Sequence, residues 1–458
     1  MMRLLVECTY VFEHPHVNSG IQRVVRNVIR HLEDAEGGVD CIPVAFINGR
    51  MHRVLHLAPL STEELPWHSR MKIALEQMRN DYWVRHASLE RRWPMSRYHN
   101  ARRALYVACK IASLAITLPL RFAMFASRGH VVPERLEPME IQPGDQLLLL
   151  DSSWHADFFP VAEKLKAEGV GMISVIYDLI PCTHPQFCDA GLVKVFDRWF
   201  DWIVEMADGF ICISTTIRDQ VRAEIVRRRG EEVAQDLWFE HFYLGSELDL
   251  VDDASQLDGK LVQMFEDGAP VYLMVSTIEP RKNHAYLLDA FERLWAAGSS
   301  ARLCIIGRYG WKCESLMARI RGHAELNKRL FMFNKLNDRG LEFAYANARS
   351  LVFPSYVEGF GLPLVEAMQR GLPVMASDIP VFREVGGDFV AYFDLQRPET
   401  LAELVQEFES GDRFPATRAT ADWSWLTWRD ASRQLVSRVL GALNVRKLAQ
   451  PRPEVEVG

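Results

Sequence analysis

The sequence predicts an α/β protein made of two Rossmann-like domains with parallel sheets. Three observations carry that expectation. The chain has 458 residues, too many for one compact core and enough for about two or three domains. Short apolar runs alternate with stretches whose apolar residues recur at helical spacing. The alternation stops in a polar segment and restarts near Pro270. Strands alternating with helices imply parallel sheets covered on both faces.

Taken in order, Leu4–Cys8 is the first buried strand, followed by a loop containing Pro15 and Gly20. Ile21, Val24, Val25, Val28, Ile29 and Leu32 then mark one face of a helix, with Arg23, Arg26, Asn27 and Arg30 between them. Cys41–Ile47, Gln146–Leu150, Val170–Tyr177 and Phe210–Ile213 read as further strands. The second series runs Val271–Val275, Leu303–Ile306, Leu330–Phe333, Ser350–Phe353 and Pro373–Ala376, with a helix over Ala285–Leu294. These runs place one domain at 1–248, a linker rich in Asp and Ser at 249–268, and a second domain at 269–422. Trp423, Trp425 and Trp428 precede an amphipathic run over 423–445 and are expected to serve packing. Residues 446–458 read as a loose tail.

Composition narrows the class. Apolar residues make up 48% and charged residues 25%, which excludes a largely disordered chain and a polytopic membrane protein. A net charge of −7 argues against a nucleic-acid partner held by global charge. The first apolar run is too short for a signal peptide and is broken by Glu7. The eight cysteines form no C-x-x-C pair and read as reduced thiols. Cys182, His184 and Cys188 lack the second half of a metal site.

An insertion at about 55–140 interrupts the first series. From Glu76 to Arg128 it holds ten cations and three acids, a net of +7, leaving −14 on the remainder. Leu105–Ala126 is mostly apolar but is cut by Lys110, Pro119 and Arg121. Its longest uncharged run, Ile111–Leu120, is ten residues, against about 20 for a spanning helix. Two readings follow: an interfacial helix on an anionic membrane, or a helical hairpin docked on its own domain.

The chemistry is concentrated in Phe353–Met368. Two glutamates eight apart mean little alone, since 60 acids in 458 residues give roughly eight such acidic pairs by chance. The context supplies the weight. A strand ends at Pro354, Gly359 and Gly361 permit a tight loop, and Pro363 suits the first turn of a helix. Such a loop aims backbone N–H groups and a positive helix end at an anion. Glu358 before the helix and Glu366 inside it can each accept hydrogen bonds from vicinal hydroxyls. Phosphate plus polyol describes a sugar nucleotide. A second cluster, Glu279-Pro-Arg281-Lys282-Asn283, follows a strand at the place where parallel sheets bind ligands.

With these motifs the sequence resembles the retaining glycosyltransferases of family 4, of GT-B fold, in their bacterial polysaccharide and O-antigen mannosyltransferase branch. Glu358 and Glu366 look like that family's E-x7-E signature, and Glu279–Asn283 like its phosphate segment. Asn18-Ser-Gly20-Ile-Gln-Arg, Ile176-Tyr-Asp178, Ile211-Cys-Ile-Ser214, Leu244-Gly245, Ile306-Gly-Arg-Tyr-Gly-Trp311 and Ala376–Gly386 resemble its other landmarks. The resemblance implies two sheets facing across a cleft. It implies that Arg281 and Lys282 neutralise the donor diphosphate and that Glu366 binds the ribose. It assigns the transferred sugar to Glu358 and the amides of Phe360, Gly361 and Leu362. Gly20 is expected to let its loop approach the phosphates, and Asp178 to touch substrate. Tyr177 stands where many relatives have His. The implied reaction needs no cofactor and no metal, the nucleotide sugar being a substrate, with GDP-mannose the first expectation. The implied partners are a lipid-linked or oligosaccharide acceptor and an anionic membrane surface, with no nucleic acid. The expected place is the cytoplasm, peripheral on the inner face of its membrane. The alternatives are a non-catalytic sugar-nucleotide scaffold and an epimerase or phosphorylase on the same scaffold.

Overall fold

The computed structural model describes residues 2–15, 20–34, 38–47, 49–57, 99–127, 135–151, 158–247, 256–334, 336–411 and 413–449, with a few residues between 67 and 82. The strands are β1 (Arg3–Glu7), β2 (Asp40–Ile47), β3 (Arg50–Val54), β4 (Leu136–Pro138), β5 (Gln146–Leu149), β6 (Gly171–Ile176), β7 (Gly209–Cys212) and β8 (Trp238–His241). They form one sheet in the order β4-β3-β2-β1-β5-β6-β7-β8. The second sheet holds β9 (Val271–Val275), β10 (Arg302–Ile306), β11 (Leu330–Phe333), β12 (Ser350–Phe353), β13 (Val374–Ser377) and β14 (Val390–Phe393). Its order is β11-β10-β9-β12-β13-β14, and every pairing in it is parallel.

The apolar runs became strands because both faces of each sheet are covered. Leu4, Leu5 and Val6 in β1, and Tyr272, Leu273 and Met274 in β9, have no more than traces of exposed surface. The four strands that the sequence did not predict are short. Two of them, β3 and β4, add antiparallel to the edge of the first sheet. They explain the insertion: the chain leaves the sheet after Val54 and returns on the neighbouring strand at Leu136.

Within that insertion Lys110, Pro119 and Arg121 do not break the helix. His99–Ser127 is one helix of 29 residues with Pro119 inside it. By length and composition, 103–122 is long and apolar enough to cross a membrane, contrary to the expectation from its charges. Ser113 and Leu120 are covered, and the Tyr82 hydroxyl donates to the Cys109 carbonyl at 2.8 Å. Most of the remaining surface is open, with Ile111 63% and Phe122 64% exposed. Tyr82 belongs to the insertion itself, so its bond to Cys109 does not dock the helix on the first sheet. Arg85, Arg91, Arg92, Arg97 and Arg128 of the basic cluster lie outside the described residues.

The region expected as a linker, 249–268, is only partly one. Residues 248–255 lie outside the described residues. Gly259–Gln263 is a short helix capped by the Asp258 carboxylate, and Leu261 and Met264 are buried in the second unit's core. The final helix, Trp428–Ala449, runs past the predicted end at 445 into the segment expected as tail. It returns to the first sheet's side. Ser432 Oγ donates to the Val28 carbonyl at 3.3 Å, and Arg446 Nη1 to the Asp208 carbonyl at 2.9 Å. Trp428 is buried, and Trp425 Nε1 donates to the Leu244 carbonyl at 2.8 Å, so these tryptophans do pack.

Candidate active site

The carboxyl ends of the two sheets meet, and every candidate side chain stands on a loop or helix leaving a strand there. After β9 the chain makes the single turn Pro280–Lys282, and Asn283 takes a left-handed φ of 55° before the helix His284–Ala296. That turn presents Arg281 and Lys282 together. After β12 the loop carries Glu358 to the helix Leu362–Gln369, whose first residues include Pro363. Tyr356 N donates to the Arg281 carbonyl at 2.8 Å, which ties the two loops to each other.

Gly361, at φ 104°, sits just before that helix, and a β-carbon there would lie 2.7 Å from the Phe382 ring. Both facts require glycine. In the following turn Pro363 carries no N–H, and Leu364 N donates to the Gly361 carbonyl at 2.9 Å. Phe360 is buried, its ring 5.9 Å from Trp425.

Arg281, Lys282 and Glu358 form one buried cluster. Arg281 Nη1 donates to Glu358 Oε2 at 2.8 Å, Arg281 Nε pairs with Glu279 Oε1 at 2.6 Å, and Lys282 Nζ pairs with Glu358 Oε1. The sequence reading assigned the cations to a diphosphate; the structure also pairs them with the very glutamate assigned to the sugar. Burial pushes the Glu358 carboxyl up, but Arg281 and then Lys282 outweigh it and hold it at about 2. Burial, then Arg281, pulls Lys282 below its usual value. Burial raises Glu279 and Asp178, each partly offset by Arg281. Asp178 follows β6, and its Oδ1 accepts from Ile180 N at 3.0 Å.

Glu366 lies inside the helix, 4% exposed at its side chain. One oxygen pairs with Arg23 from the first sheet's helix Gly20–Arg30, and the other accepts from the Tyr345 hydroxyl at 2.9 Å. Gly20 opens that helix on the surface, and an added β-carbon there would meet nothing within 4 Å. Asn18 and Ser19 of the same loop lie outside the described residues. The structure thus groups Arg281, Lys282, Glu358 and Asp178. It places Glu366 on the adjoining helix and leaves open space beside Gly20 among the described residues.

Sequence reasoning missed several groups. Arg23 stands in the landmark that begins at Asn18, but nothing in that stretch points to Glu366, and Tyr345 lies outside every motif. Glu7 was read only as the end of an apolar run. It is buried at the tip of β1, with Thr9 N donating to its Oε1 at 2.8 Å. Burial, then Asp151, raises its carboxyl to about 7. Tyr177, where His was looked for, is turned inward, its hydroxyl donating to the Leu150 carbonyl at 2.7 Å.

Two α/β units whose parallel sheets meet at their carboxyl ends, joined by a helix that returns to the first, define the GT-B class. Residues 262–421 match the family described as "Glycosyl transferases group 1". The chain is 34% identical over 313 residues to serotype-specific mannosyltransferase WbdA of Escherichia coli, an alignment covering 66% of this chain and 38% of that protein. It is 32% identical over 170 residues to O-antigen chain mannosyltransferase B of Escherichia coli, covering 36% of this chain and 44% of that protein. The chain thus spans less than half the length of these relatives. Among solved structures, sucrose-phosphate synthase from Thermosynechococcus elongatus superposes over 98% of this chain and 100% of its own, with a TM-score of 0.53 and 16% identity.

Proposed function

We propose that the protein is a retaining, metal-independent glycosyltransferase. It moves a sugar, mannose from GDP-mannose in the first instance, to a hydroxyl of a growing lipid-linked glycan in surface polysaccharide synthesis. One observation carries the reading. A buried Lys282, a partly buried Arg281 and a low-pKa glutamate converge beside the start of a helix that carries a second buried glutamate. Charge for a diphosphate and acceptors for hydroxyl groups then stand within one loop of each other. The names of the mannosyltransferase relatives support mannose as the sugar moved.

On this reading the donor diphosphate takes the Arg281 and Lys282 donors that Glu358 now engages. Glu358 turns its freed oxygens to hydroxyls of the transferred sugar, and the amides at Phe360, Gly361 and Leu362 help hold that sugar. Glu366 takes the ribose hydroxyls. As the glycosidic bond breaks, negative charge grows on the leaving phosphate. Cations and a helix end already in place stabilise it without reorganisation. The departing phosphate oxygen accepts the acceptor's proton on the same face of the sugar. Asp178 lies at the edge of this cluster, on the first sheet's side.

The chain works in the cytoplasm, peripheral on the inner face of the membrane that holds its acceptor. The helix His99–Ser127 docks it there, with Arg103, Lys110 and Arg121 and no acid along its length.

The test is a screen of GDP-, UDP- and dTDP-sugars for hydrolysis and for transfer to a lipid-linked acceptor, with and without excess EDTA. GDP-mannose turnover that survives EDTA is the expected result. No turnover of any donor would overturn the enzymatic reading, and a strict need for Mn²⁺ or Mg²⁺ would overturn the metal-free one.

A further inference from the structure

Glu366 and Arg23 are 343 positions apart and come from opposite sheets, yet they form an ion pair in which both side chains are mostly buried, 4% and 15% exposed. The same guanidinium reaches a third element: Arg23 Nη2 donates to the Glu247 carbonyl at 3.0 Å, where the chain leaves the first sheet. Its two ends thus grip the crossover and the nucleotide-side helix at once. A guanidinium presents its donors in a fixed plane, so two such contacts set the direction of both partners.

Glu366 is held from both sides. Arg23 occupies Oε1 and the Tyr345 hydroxyl occupies Oε2. An ionised carboxylate offers about four lone-pair sites over its two oxygens. One site therefore remains on each oxygen, side by side, which suits a vicinal diol. The nearby Arg370 is directed elsewhere: it pairs with Glu342 and donates to the Glu366 backbone carbonyl, not to the carboxylate.

We propose that Arg23 is a donor-positioning residue delivered by the opposite sheet: it fixes the Glu366 carboxylate so that both oxygens face the ribose diol of a nucleotide. This rests on the reading above that Glu366 takes the ribose. Arg23 touches no reacting atom and acts through Glu366. Recognition of the ribose is thereby linked to contact between the sheets, because the residue that orients the carboxylate reaches it only when the two units meet.

A plain inter-sheet strut would hold the molecule together without regard to the sugar of the nucleotide, and that difference is measurable. Wild type, Arg23→Ala and Arg23→Lys are titrated by calorimetry with GDP, UDP and the 2′-deoxy form of each. A site that hydrogen-bonds a hydroxyl rejects the analogue lacking it, so wild type should prefer at least one ribonucleotide over its deoxy form by about tenfold. Arg23→Ala should lose most of that preference: binding of the ribonucleotide weakens about tenfold while binding of the deoxy form stays within about twofold. Arg23→Lys, which keeps the charge but not the fork, should fall between, and it decides the question if the alanine variant does not fold. Equal weakening of both forms, or no weakening, overturns the role of Arg23 while leaving the ribose reading intact. A wild type that does not distinguish ribose from deoxyribose with either base overturns the assignment of Glu366, and the role of Arg23 with it.

Discussion

Two buried glutamates at the strand tips respond to their neighbours in opposite directions. Glu358 is held at about 2 by Arg281 and Lys282, below the usual value of a glutamate. It stabilises the fold above about pH 4.5, and that stability is lost as pH falls toward 2. Glu7 is raised to about 7 by burial and by Asp151. Its contribution is complete below about pH 4.5 and is lost as pH climbs through 7. Thermal unfolding between pH 5 and 8 should therefore show melting temperature falling with pH in wild type. Glu7→Gln, which can still accept from Thr9 N, should flatten that fall and melt higher at pH 8. An unchanged slope would remove Glu7 as its source. For the proposed chemistry, Lys282→Ala should lower transfer about 10- to 100-fold, the loss of one charge-assisted contact, while Arg281 still holds Glu358 in the fold. Transfer within twofold of wild type, with normal melting, would rule out Lys282 as a diphosphate ligand. Arg281, Lys282, Glu358 and Glu366 were legible because each sits at a fixed offset from a strand end or a helix start. Arg23 was not: in its own helix nothing in the spacing separates it from Arg26 or Arg30. Its role comes from a partner that only folding brings near.

At the scale of elements, the long apolar runs were read to within a residue or two, because a buried parallel strand writes itself as consecutive Val, Ile and Leu. The edge strands β3 and β4 were not, since Arg50–Val54 and Leu136–Pro138 are short and partly polar. The helix His99–Ser127 shows the limit of reading charges as breaks. Lys110 is exposed, so a long side chain can lift its ammonium clear of an apolar surface and leave the helix whole. An exposed apolar helix carrying cations and no acid suits an anionic bilayer. Each cation near such a surface contributes about 1 kcal/mol, reduced by salt. The protein should therefore sediment with anionic liposomes at low salt and release at high salt. Charge reversal at Arg103, Lys110 and Arg121 to Glu should weaken sedimentation and transfer to a lipid-linked acceptor. Donor hydrolysis in solution should be spared, since the cluster at Glu358 lies elsewhere. Full binding by the reversed protein would show that the helix does not serve the membrane through its charge.

Across the whole molecule, the two units touch through specific small contacts. Ser214 Oγ donates to the Gly359 carbonyl at 3.1 Å, and the Glu384 carboxylate accepts from Thr215 N at 2.6 Å and Thr216 N at 2.8 Å. The last pair closes the N-terminus of the helix Thr215–Arg229 with a charge from the opposite unit. Trp311 Nε1 adds a bond to the Phe187 carbonyl at 2.7 Å. The backbones also approach closely at Gly359, where an added β-carbon would lie 2.1 Å from the Tyr177 carbonyl oxygen and 3.3 Å from the Asp178 β-carbon. Both neighbours there belong to the first unit's chain just after β6, and a backbone oxygen cannot rotate away as a side chain can. Gly359→Ala must then move the Glu358 loop or part the two units. Since Gly359 adjoins Glu358, either movement should reach the proposed transfer step more than nucleotide binding, whose Glu366 lies a helical turn further on. We expect Gly359→Ala to lower transfer at least tenfold, the scale of a misplaced reacting group, with nucleotide affinity within a few fold and the melting temperature little changed. Transfer at the wild-type rate would mean that this contact between the units is absent when the reaction occurs.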